Sequence, residues 1–446
     1  MNIDFRFPSY VEKVLDLYEE NGYKAFVVGG AARDIIMGKP PHDYDIATDA
    51  DPDEGLAIFK AKDIKTIDTS ARHGTIIAVV EGEQVEITTF RVDGDYNDNR
   101  HPDSVILTRD INEDVSRRDF TMNAIYIGKD LKPVDKFGGV DDISKKLIRA
   151  VGDPKKRFEE DALRILRALR FSSVLGFKIE ESLKNAIFDC KELLHNISVE
   201  RIREELYKIV TGKNATTVIR DYLEVFSLFV PELLRMRGFD QHSRYHDKDL
   251  LEHTLSVLDL VEPKEGNLCL AALLHDVGKP DVFVMDDEGY GHMKMHNIKS
   301  REITDDFLNR FKFSNADKKE ISDLVFLHDV FPESKASVRK YLSKYTLDFM
   351  KKLASLQKAD ILSHSEYGKR RITLLEDREK IIEEIIANDE CFNMKDLKIG
   401  GRDLIDMGIP EGPDVGRIMK DVFAKVLEGE IKNDRDELLL YVKSLI

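Results

Sequence analysis

Residues 26–50 read FVVGGAARDIIMGKPPHDYDIATDA. The apolar start of this stretch predicts a short buried strand, which Gly29 and Gly30 end before a helix begins. Paired glycines let the backbone approach a bulky anion, and the first turn of the helix adds N–H donors and the positive end of its dipole. Arg33 can reach the same anion with its forked guanidinium group. The corner therefore predicts a binding site for a triphosphate.

Two carboxylates follow the next turn. Asp43 and Asp45 are two residues apart in HDYDI, residues 42–46, which predicts a second strand with both side chains on one face. Neighbouring carboxylates repel each other unless a cation lies between them, and Mg²⁺, which also binds nucleotide phosphates, is the usual ion. A glycine pair or an acidic pair alone is more often structural. Their proximity favours a site for a metal and a nucleotide.

A hairpin and an arginine pair follow. TIIAVVEGEQVEITTF, residues 75–90, alternates in polarity and predicts a β-hairpin. Glu86 in its second strand is either a third metal ligand or an outward-facing glutamate. Arg117 and Arg118 lie further along in EDVSRRDFTMNA, residues 113–124. This adjacent pair could offset the charge of a bound triphosphate.

The segment FEEDALRILRALRF, residues 158–171, predicts an amphipathic helix. Its apolar residues and its arginines fall on opposite sides of a helical wheel: Leu163, Ile165, Leu166 and Leu169 against Arg164, Arg167 and Arg170. Asp161 precedes Arg164 by three residues, so the two could form an ion pair on a surface helix. Alternatively, their acceptor and planar donor fork match the hydrogen-bonding edges of cytosine and adenine.

These segments resemble the motifs of the class II nucleotidyltransferases, the family of the bacterial CCA-adding enzymes and bacterial poly(A) polymerases. GGAARD with DYD is similar to motif A, RRDFTMNA to motif B, EDALR to the base-selecting motif and SVERIREELYKIV to motif E. The resemblance implies that Asp43 and Asp45 are catalytic and hold Mg²⁺. It also implies nucleotide binding by Gly29, Gly30, Arg33, Arg117, Arg118, Glu160, Asp161, Arg164, Arg167 and Arg170, of which Glu160, Asp161 and Arg164 select the base.

A second constellation of possible ligands lies between residues 238 and 365. It comprises His253, His275, Asp276, His296, His328 and Asp360. Histidine and carboxylate ligands that converge from separate helices build hydrolytic metal sites, whereas a lone histidine on a helix is usually structural. The order of these residues resembles the HD phosphohydrolase superfamily, in which a metal-bound water attacks a phosphoester. The resemblance implies a divalent transition metal or Mg²⁺ at this site.

Composition limits the possible partners and locations. The net charge of −16, from 84 acidic and 68 basic residues, argues against binding of nucleic acid by the whole surface. Local basic patches at 145–170 and 334–371 could still contact RNA or be solvated helix faces. The three cysteines are scattered and predict no disulfide framework. No apolar run reaches membrane-span length and no signal peptide is apparent, so we expect a cytoplasmic protein without membrane contact.

The predicted fold is α+β, with a mixed-sheet nucleotidyltransferase palm followed by helical domains. We expect a head at 1–145, a helical neck at 146–237, an HD bundle at 238–370 and a helical tail at 371–446. The resemblance implies template-independent addition of CCA to the 3′ end of tRNA from CTP and ATP. It leaves the oligomeric state open.

Three alternatives to this function stay open. The nearest is a relative of narrower output, a poly(A) polymerase or an enzyme that adds only CC or only A. The polar segment at 92–102 predicts a loop of full length, which weighs against an enzyme that adds only CC. The other two are a phosphohydrolase whose head docks RNA, and a non-catalytic RNA-binding protein.

Overall fold

The computed structural model describes residues 3–70, 74–94, 105–388 and 390–445. It divides into two compact units, Met1–Leu228 and Phe229–Ile446. Most of the loop predicted at 92–102 lies outside the described residues. The finer division into head, neck, HD bundle and tail remains a prediction.

The first unit combines eleven named strands with eleven α-helices among its described residues. Its strands are β1 (Ala25–Val28), β2 (Asp45–Thr48), β3 (Lys65–Ser70), β4 (Thr75–Val80), β5 (Glu83–Thr89), β6 (Arg91–Asp93), β7 (Val105–Leu107), β8 (Tyr126–Ile127), β9 (Pro133–Val134), β10 (Leu147–Ile148) and β11 (Lys178–Ile179). Its helices are α1 (Ser9–Glu20), α2 (Gly29–Ile36), α3 (Pro52–Ala61), α4 (Ile111–Ser116), α5 (Gly139–Ser144), α6 (Pro154–Glu160), α7 (Leu163–Leu175), α8 (Glu181–Cys190), α9 (Val199–Val210), α10 (Ala215–Asp221) and α11 (Leu223–Phe226).

Seven strands form a mixed sheet in the order β3-β4-β5-β2-β1-β8-β9. Strands β2 and β5 pair in parallel and the other neighbours are antiparallel. The predicted α+β fold with a mixed sheet is therefore confirmed. Short strand pairs β6-β7 and β10-β11 lie outside this sheet.

The two faces of the sheet carry different structure. Helices α1, α2 and α3 contact one another or the strands, and α1 buries Val11, Val14, Leu15 and Leu17. On β2, Ala47 packs in a separate buried cluster with Val28, Phe90 and Tyr126. Because side chains alternate along a strand, Asp45 lies on the same face as Ala47. Asp45, and Glu86 aligned with it on β5, therefore lie on the face that carries this second cluster.

Two predicted boundaries in residues 26–50 shift slightly. Helix α2 begins at Gly29 itself, whose φ of +66° is one that glycine adopts without strain. The strand predicted over 42–46 begins only at Asp45, and Asp43 lies in the bend before it. Helix α3 begins with a capping box formed by Asp51 and Glu54.

The helix predicted over 158–171 is wrong as a single element. Helix α6 ends at Glu160, and Asp161 has extended backbone angles of φ −141° and ψ 102°. The Asp161 carboxylate accepts a hydrogen bond from the N–H of Leu163 at 3.1 Å, at the point where α7 begins. Aspartate that bonds locally to the backbone competes with continued helix, which explains the break. The second segment does bury Leu163, Ile165, Leu166 and Leu169 as predicted.

The second unit is helical apart from one small hairpin among its described residues. Its elements are α12 (Leu233–Met236), α13 (Leu250–Leu260), α14 (Gly266–Leu274), β12 (Val284–Met285), β13 (Gly291–His292), α15 (His296–Arg310), α16 (Asn315–Leu327), α17 (Lys335–Lys344), α18 (Leu347–Ser363), α19 (Ile372–Ala387), α20 (Gly401–Asp406), α21 (Pro413–Glu428) and α22 (Arg435–Lys443). Helices α13, α14, α16 and α18 pack on one another. Within the described residues, no helix has the length and apolarity needed to span a membrane.

Candidate functional site

Asp43, Asp45 and Glu86 lie near one another at the start of β2, an inner strand of the first unit's sheet. Asp45 is aligned with Glu86 of the parallel neighbour β5 and with Val28 of β1. Desolvation, with repulsion from Glu86 and Asp43, raises the pKa of Asp45 to about 6, although Arg118 opposes the rise. A divalent cation would relieve this repulsion. Glu86 therefore lies beside Asp45 in the sheet, a proximity that the sequence could not establish.

The glycine corner adjoins these carboxylates. A Cβ atom on Gly29 would lie 3.9 Å from Asp45 Oδ2 and 3.8 Å from Arg118 Nη1. A Cβ atom on Gly30 would lie 3.7 Å from Arg33 Nη2. The predicted site residues Gly29, Gly30, Arg33, Arg118 and Asp45 therefore lie close together in the structure. The bare backbone of the corner leaves room beside two cationic groups, which suits an anionic ligand.

Asp114 holds Arg117 and Arg118 in place, a role that was not predicted from the sequence. This buried carboxylate accepts hydrogen bonds from Arg117 Nε at 2.8 Å and from Arg118 Nη2 at 3.3 Å. Tyr126 Oη donates to the same carboxylate and accepts from Arg118 Nε at 2.7 Å. Burial raises the pKa of Asp114, but the two guanidinium groups outweigh it and lower the pKa overall. The spacing of Asp114 three and four residues before the arginines was the available signal.

Three more arginines surround one aromatic ring. Arg33, Arg167 and Arg170 have their guanidinium carbons 5.3, 5.6 and 4.4 Å from the centre of the Phe171 ring. Arg33 also donates to Asn123 Oδ1 at 3.2 Å. Stacking on an aromatic face fixes the direction of a guanidinium group while leaving donors for other partners. Helix α7 therefore points its arginines at the end of α2.

The ion pair predicted between Asp161 and Arg164 is wrong in this structure. Arg164 donates instead to Glu160 Oε2 at 2.8 Å and to the carbonyl of Arg117 at 2.9 Å. Asp161 Oδ2 lies 3.6 Å from Nη2 of Arg201. The helix break at Asp161 turns its carboxylate away from the position that a continuous helix would give it. The bond to the Arg117 carbonyl nevertheless connects Arg164 to the arginine pair.

Asp119 and Arg167 form a buried ion pair. Arg167 donates to Asp119 Oδ2 from Nε at 2.8 Å and from Nη2 at 2.5 Å, and the N–H of Phe120 donates at 2.7 Å to the other oxygen. Burial raises the pKa of Asp119, but Arg167 and its other partners outweigh burial and lower the pKa to about 2. The pair joins α7 to the segment that follows the arginine pair.

We expect Asp119→Asn to lower the free energy of unfolding by about 2 kcal/mol near pH 7. The folded-state pKa lies below the unfolded value of about 3.9, so this stability is present above that value and is lost as the pH falls towards 2. Urea unfolding followed by circular dichroism should therefore give wild-type and variant curves that converge between about pH 5 and pH 2. The exposed Asp53→Asn variant is the control. A constant difference across this range would contradict the assignment.

The predicted ligands of the second unit come together in its core. Nε2 of His253 lies 3.0 Å from Asp360 Oδ1, and Nε2 of His275 lies 3.1 Å from Asp276 Oδ2. The other oxygen of Asp276 lies 3.4 Å from His296 Nε2 and 3.5 Å from His328 Nε2. Ligands about 2.1 Å from a tetrahedral ion are about 3.4 Å apart, so these separations suit a metal ion.

Backbone carbonyls orient three of these imidazole rings. Nδ1 of His275, His296 and His328 lies 2.8, 2.9 and 2.6 Å from the carbonyl three residues earlier. A protonated Nδ1 that donates to a carbonyl leaves the Nε2 lone pair for a metal. Burial lowers the pKa of His296 to about 4, which favours the neutral ligand form.

Several buried atoms of this cluster have no hydrogen-bond partner among the described residues. They include Nε2 of His253, Nε2 of His275 and Oδ1 of Asp276. An unpaired buried polar atom costs about 1–3 kcal/mol, so the chemistry of the donor set fits one or two divalent cations. Four of the predicted ligands, Asp276, His296, His328 and Asp360, line a cavity of about 820 Å³. Arg244, Lys294 and Arg371 line it too.

The sequence analysis missed two histidines beside this cluster. His364 Nε2 lies 3.4 Å from Asp360 Oδ1, and His246 packs against the rings of both His253 and His364. His364 lies four residues after Asp360, which puts both on one side of α18 and was the available signal. His246 lies in the irregular segment before α13, where no periodicity marks it.

Three family models match parts of this chain. A model described as the poly A polymerase head domain matches residues 25–149, and a probable RNA and SrmB-binding site of polymerase A matches residues 176–233. A model described as a putative domain 2 of tRNA nucleotidyltransferase matches residues 293–442.

Similar proteins cover nearly the whole chain. The CCA-adding enzyme of Lactobacillus johnsonii is 34% identical over 429 residues, which are 96% of this chain and 95% of the relative. That of Lactobacillus gasseri is 36% identical over 422 residues, 94% of this chain and 93% of the relative.

A solved structure of similar fold agrees with these relatives. The crystal structure of the Bacillus stearothermophilus CCA-adding enzyme in complex with CTP matches with a TM-score of 0.71 and 27% identity, over 98% of this chain and 96% of that one. The identity and coverage of these matches are sufficient to assign the family. The chain belongs to the CCA-adding enzymes, a family of nucleotidyltransferases.

Proposed function

We propose that this protein adds C, C and A in turn to the 3′ end of tRNA, with CTP and ATP as donors and without a nucleic-acid template. The grouping of Asp43, Asp45 and Glu86 beside the Gly29 corner supports this proposal most strongly. The three carboxylates would bind a metal ion, and the adjoining glycine corner would bind the anion. Relatives named as CCA-adding enzymes match nearly the full chain, and one solved neighbour is a complex with tRNA.

Asp43 and Asp45 would hold Mg²⁺, with Glu86 as a third ligand. The metal would activate the terminal 3′-hydroxyl of the tRNA and stabilise the charge on the departing pyrophosphate. Gly29 and Gly30 lie beside the proposed metal ligands, where their backbone N–H groups would orient the triphosphate.

The arginines divide into two groups in this proposal. Arg33, Arg117 and Arg118 would neutralise the triphosphate, since Asp114 and the Phe171 ring direct two of them to the glycine corner. Glu160, Asp161 and Arg164 would select the base, while Arg167 and Arg170 would contact the nucleotide. For base reading, Asp161 and Arg164 would exchange their present partners for the edge of cytosine or adenine.

The experiment that tests this function supplies a tRNA lacking its 3′ CCA, together with Mg²⁺. We expect two additions with CTP alone, none with ATP alone and a third addition only when both are present, each resolved on a sequencing gel. This order follows because the terminal adenosine requires the preceding cytidines as its acceptor. A ladder of adenosines with ATP alone, or a stop after CC with both nucleotides, would contradict the proposal in favour of a narrower relative.

A second activity, phosphoester hydrolysis, is favoured by the buried ligand cluster of the second unit. Asp276 and Asp360 line one cavity together with His296 and His328, whose Nδ1 atoms lie against backbone carbonyls, so that their Nε2 lone pairs would be available to a metal. A bound divalent metal would supply an activated water at neutral pH. Lys279, whose Nζ lies 2.6 Å from Asp276 Oδ2, would orient this carboxylate.

We expect the full-length protein to hydrolyse bis(p-nitrophenyl) phosphate when supplied with Mn²⁺ or Co²⁺. Asp276→Asn should lower this rate by at least about 100-fold, because Asp276 faces the histidines on both of its oxygens. CCA addition should persist in the variant, and the exposed Asp287→Asn variant serves as a matched control. Equal rates in wild type and Asp276→Asn would exclude the activity at this site.

A further inference from the structure

The two additional histidines are packed into the ligand cluster of the second unit. The His364 ring stacks on that of His253, with a centroid distance of 5.3 Å and an angle of 11°. The His246 ring stands almost perpendicular to both, with its centroid 4.5 Å from that of His364 and 4.9 Å from that of His253. Three rings from three separate segments therefore converge.

The nitrogen atoms of these rings are arranged like metal ligands. One ring nitrogen from each of His246, His253 and His364 lies within 4.8 Å of the others. His253 and His364 are 1% and 4% exposed. Among the described residues, Nδ1 of each of these three rings has no hydrogen-bond partner. Burial of unpaired ring nitrogens is costly, and a cation bound by their lone pairs would offset that cost.

We propose that His246, His253 and His364 form a further position for a divalent transition metal, adjoining the ligands Asp276 and Asp360. The inference rests on the proposed phosphohydrolase site because it shares His253 with it. The three ligands are all imidazoles, which suit Zn²⁺ or Co²⁺ better than Mg²⁺ or Mn²⁺. Three histidines and an open fourth place are a common arrangement around Zn²⁺.

The sharing of His253 makes the two positions compete. A neutral imidazole has a single lone pair on one nitrogen, so His253 can bind only one ion at a time. A manganese ion would take the position rich in carboxylates, where His253 Nε2 is 3.0 Å from Asp360 Oδ1. Zinc bound by the three histidines would remove His253 from that position. Zinc would therefore inhibit manganese-dependent hydrolysis by taking a ligand from it.

The test measures zinc and manganese affinities of the full-length chain by competition with a chromogenic chelator and by calorimetry. Asp43→Asn and Asp45→Asn are introduced throughout, so that the first unit contributes no binding. Into this background we place His246→Ala or His364→Ala, with His292→Ala as an exposed histidine control from the same cavity. Circular dichroism checks the fold of each variant.

We expect His246→Ala and His364→Ala each to weaken zinc binding by at least about 10-fold and manganese binding by less than about 2-fold. Both variants should also make manganese-dependent hydrolysis less sensitive to zinc, whereas His292→Ala should match the parent. Unchanged zinc affinity, or equal losses for both metals, would overturn the three-histidine position while manganese binding by the parent still supports the phosphohydrolase site. Absence of both metals from the parent would overturn the two together.

Discussion

Asp45→Asn should reduce nucleotide addition by about 1,000-fold or more while leaving the protein folded. The carboxylate lies between Glu86 and Arg118, and its raised pKa reflects desolvation among neighbouring negative charges. Replacement by a neutral amide removes a ligand of the proposed Mg²⁺ ion and relieves that repulsion. Loss of activity should thus accompany unchanged or slightly increased stability, which separates a catalytic from a structural role. Single-turnover addition of CMP to a tRNA lacking CCA measures the rate.

Asp43→Asn should have a similar effect, because its carboxylate, in the bend before β2, would bind the same proposed ion. Glu86→Gln tests the third ligand, and we expect a smaller loss together with a higher Mg²⁺ requirement. Asp53→Asn, an exposed carboxylate of the same unit, is the matched control. Hydrolysis by the second unit should be unaffected in all of these variants. Retention of even a tenth of wild-type addition by Asp45→Asn would refute the assignment.

Local pattern was sufficient to predict most elements around this site. The strand before Gly29 and the hairpin that carries Glu86 are each encoded within a few adjacent residues. The alignment of Asp45 with Glu86 was not predictable, since these residues are far apart in sequence and only the pairing of β2 with β5 sets their register. The sequence could therefore supply candidate ligands but not their geometry.

In residues 158–171 the predicted apolar periodicity is correct although the helix is interrupted. The apolar stripe of α7 is buried as predicted, yet Asp161 interrupts the helix by bonding to the N–H of Leu163. Helical-wheel reasoning assumes a continuous element, so it paired Asp161 with Arg164. The observed partner, Glu160, lies in the preceding helix. Because of this break, Arg164 pairs with Glu160 and not with Asp161.

In the second unit, residue type and order were sufficient to predict candidate ligands, because a histidine and an aspartate are adjacent at the end of an apolar helix. What the order could not supply was the convergence of six histidines and two aspartates. His246 belongs to no regular element, and a residue in such a segment has no periodicity from which its direction can be inferred.

Asp114→Asn should weaken both the fold and the binding of nucleotides. The carboxylate is 1% exposed and accepts hydrogen bonds from both adjacent arginines and from Tyr126. Removal of its charge leaves Arg118 in a buried position with a weaker partner, so we expect the free energy of unfolding to fall by about 3 kcal/mol. The Arg118 guanidinium group would also lose its fixed position beside the Gly29 corner. The KM for CTP and for ATP should rise by about 10-fold or more.

The neighbouring exposed residue supplies the control, since Glu113→Gln removes one negative charge from the same helix without touching the arginine pair. Urea unfolding and initial rates over a range of CTP concentrations give the two quantities. If Asp114 positions the arginines, Arg118→Lys should raise the KM by a similar factor, and the double variant should cost less than the product of the two single effects. A fall in stability with an unchanged KM would show that Asp114 has only a structural role. Other residues of the corner would then bind the triphosphate.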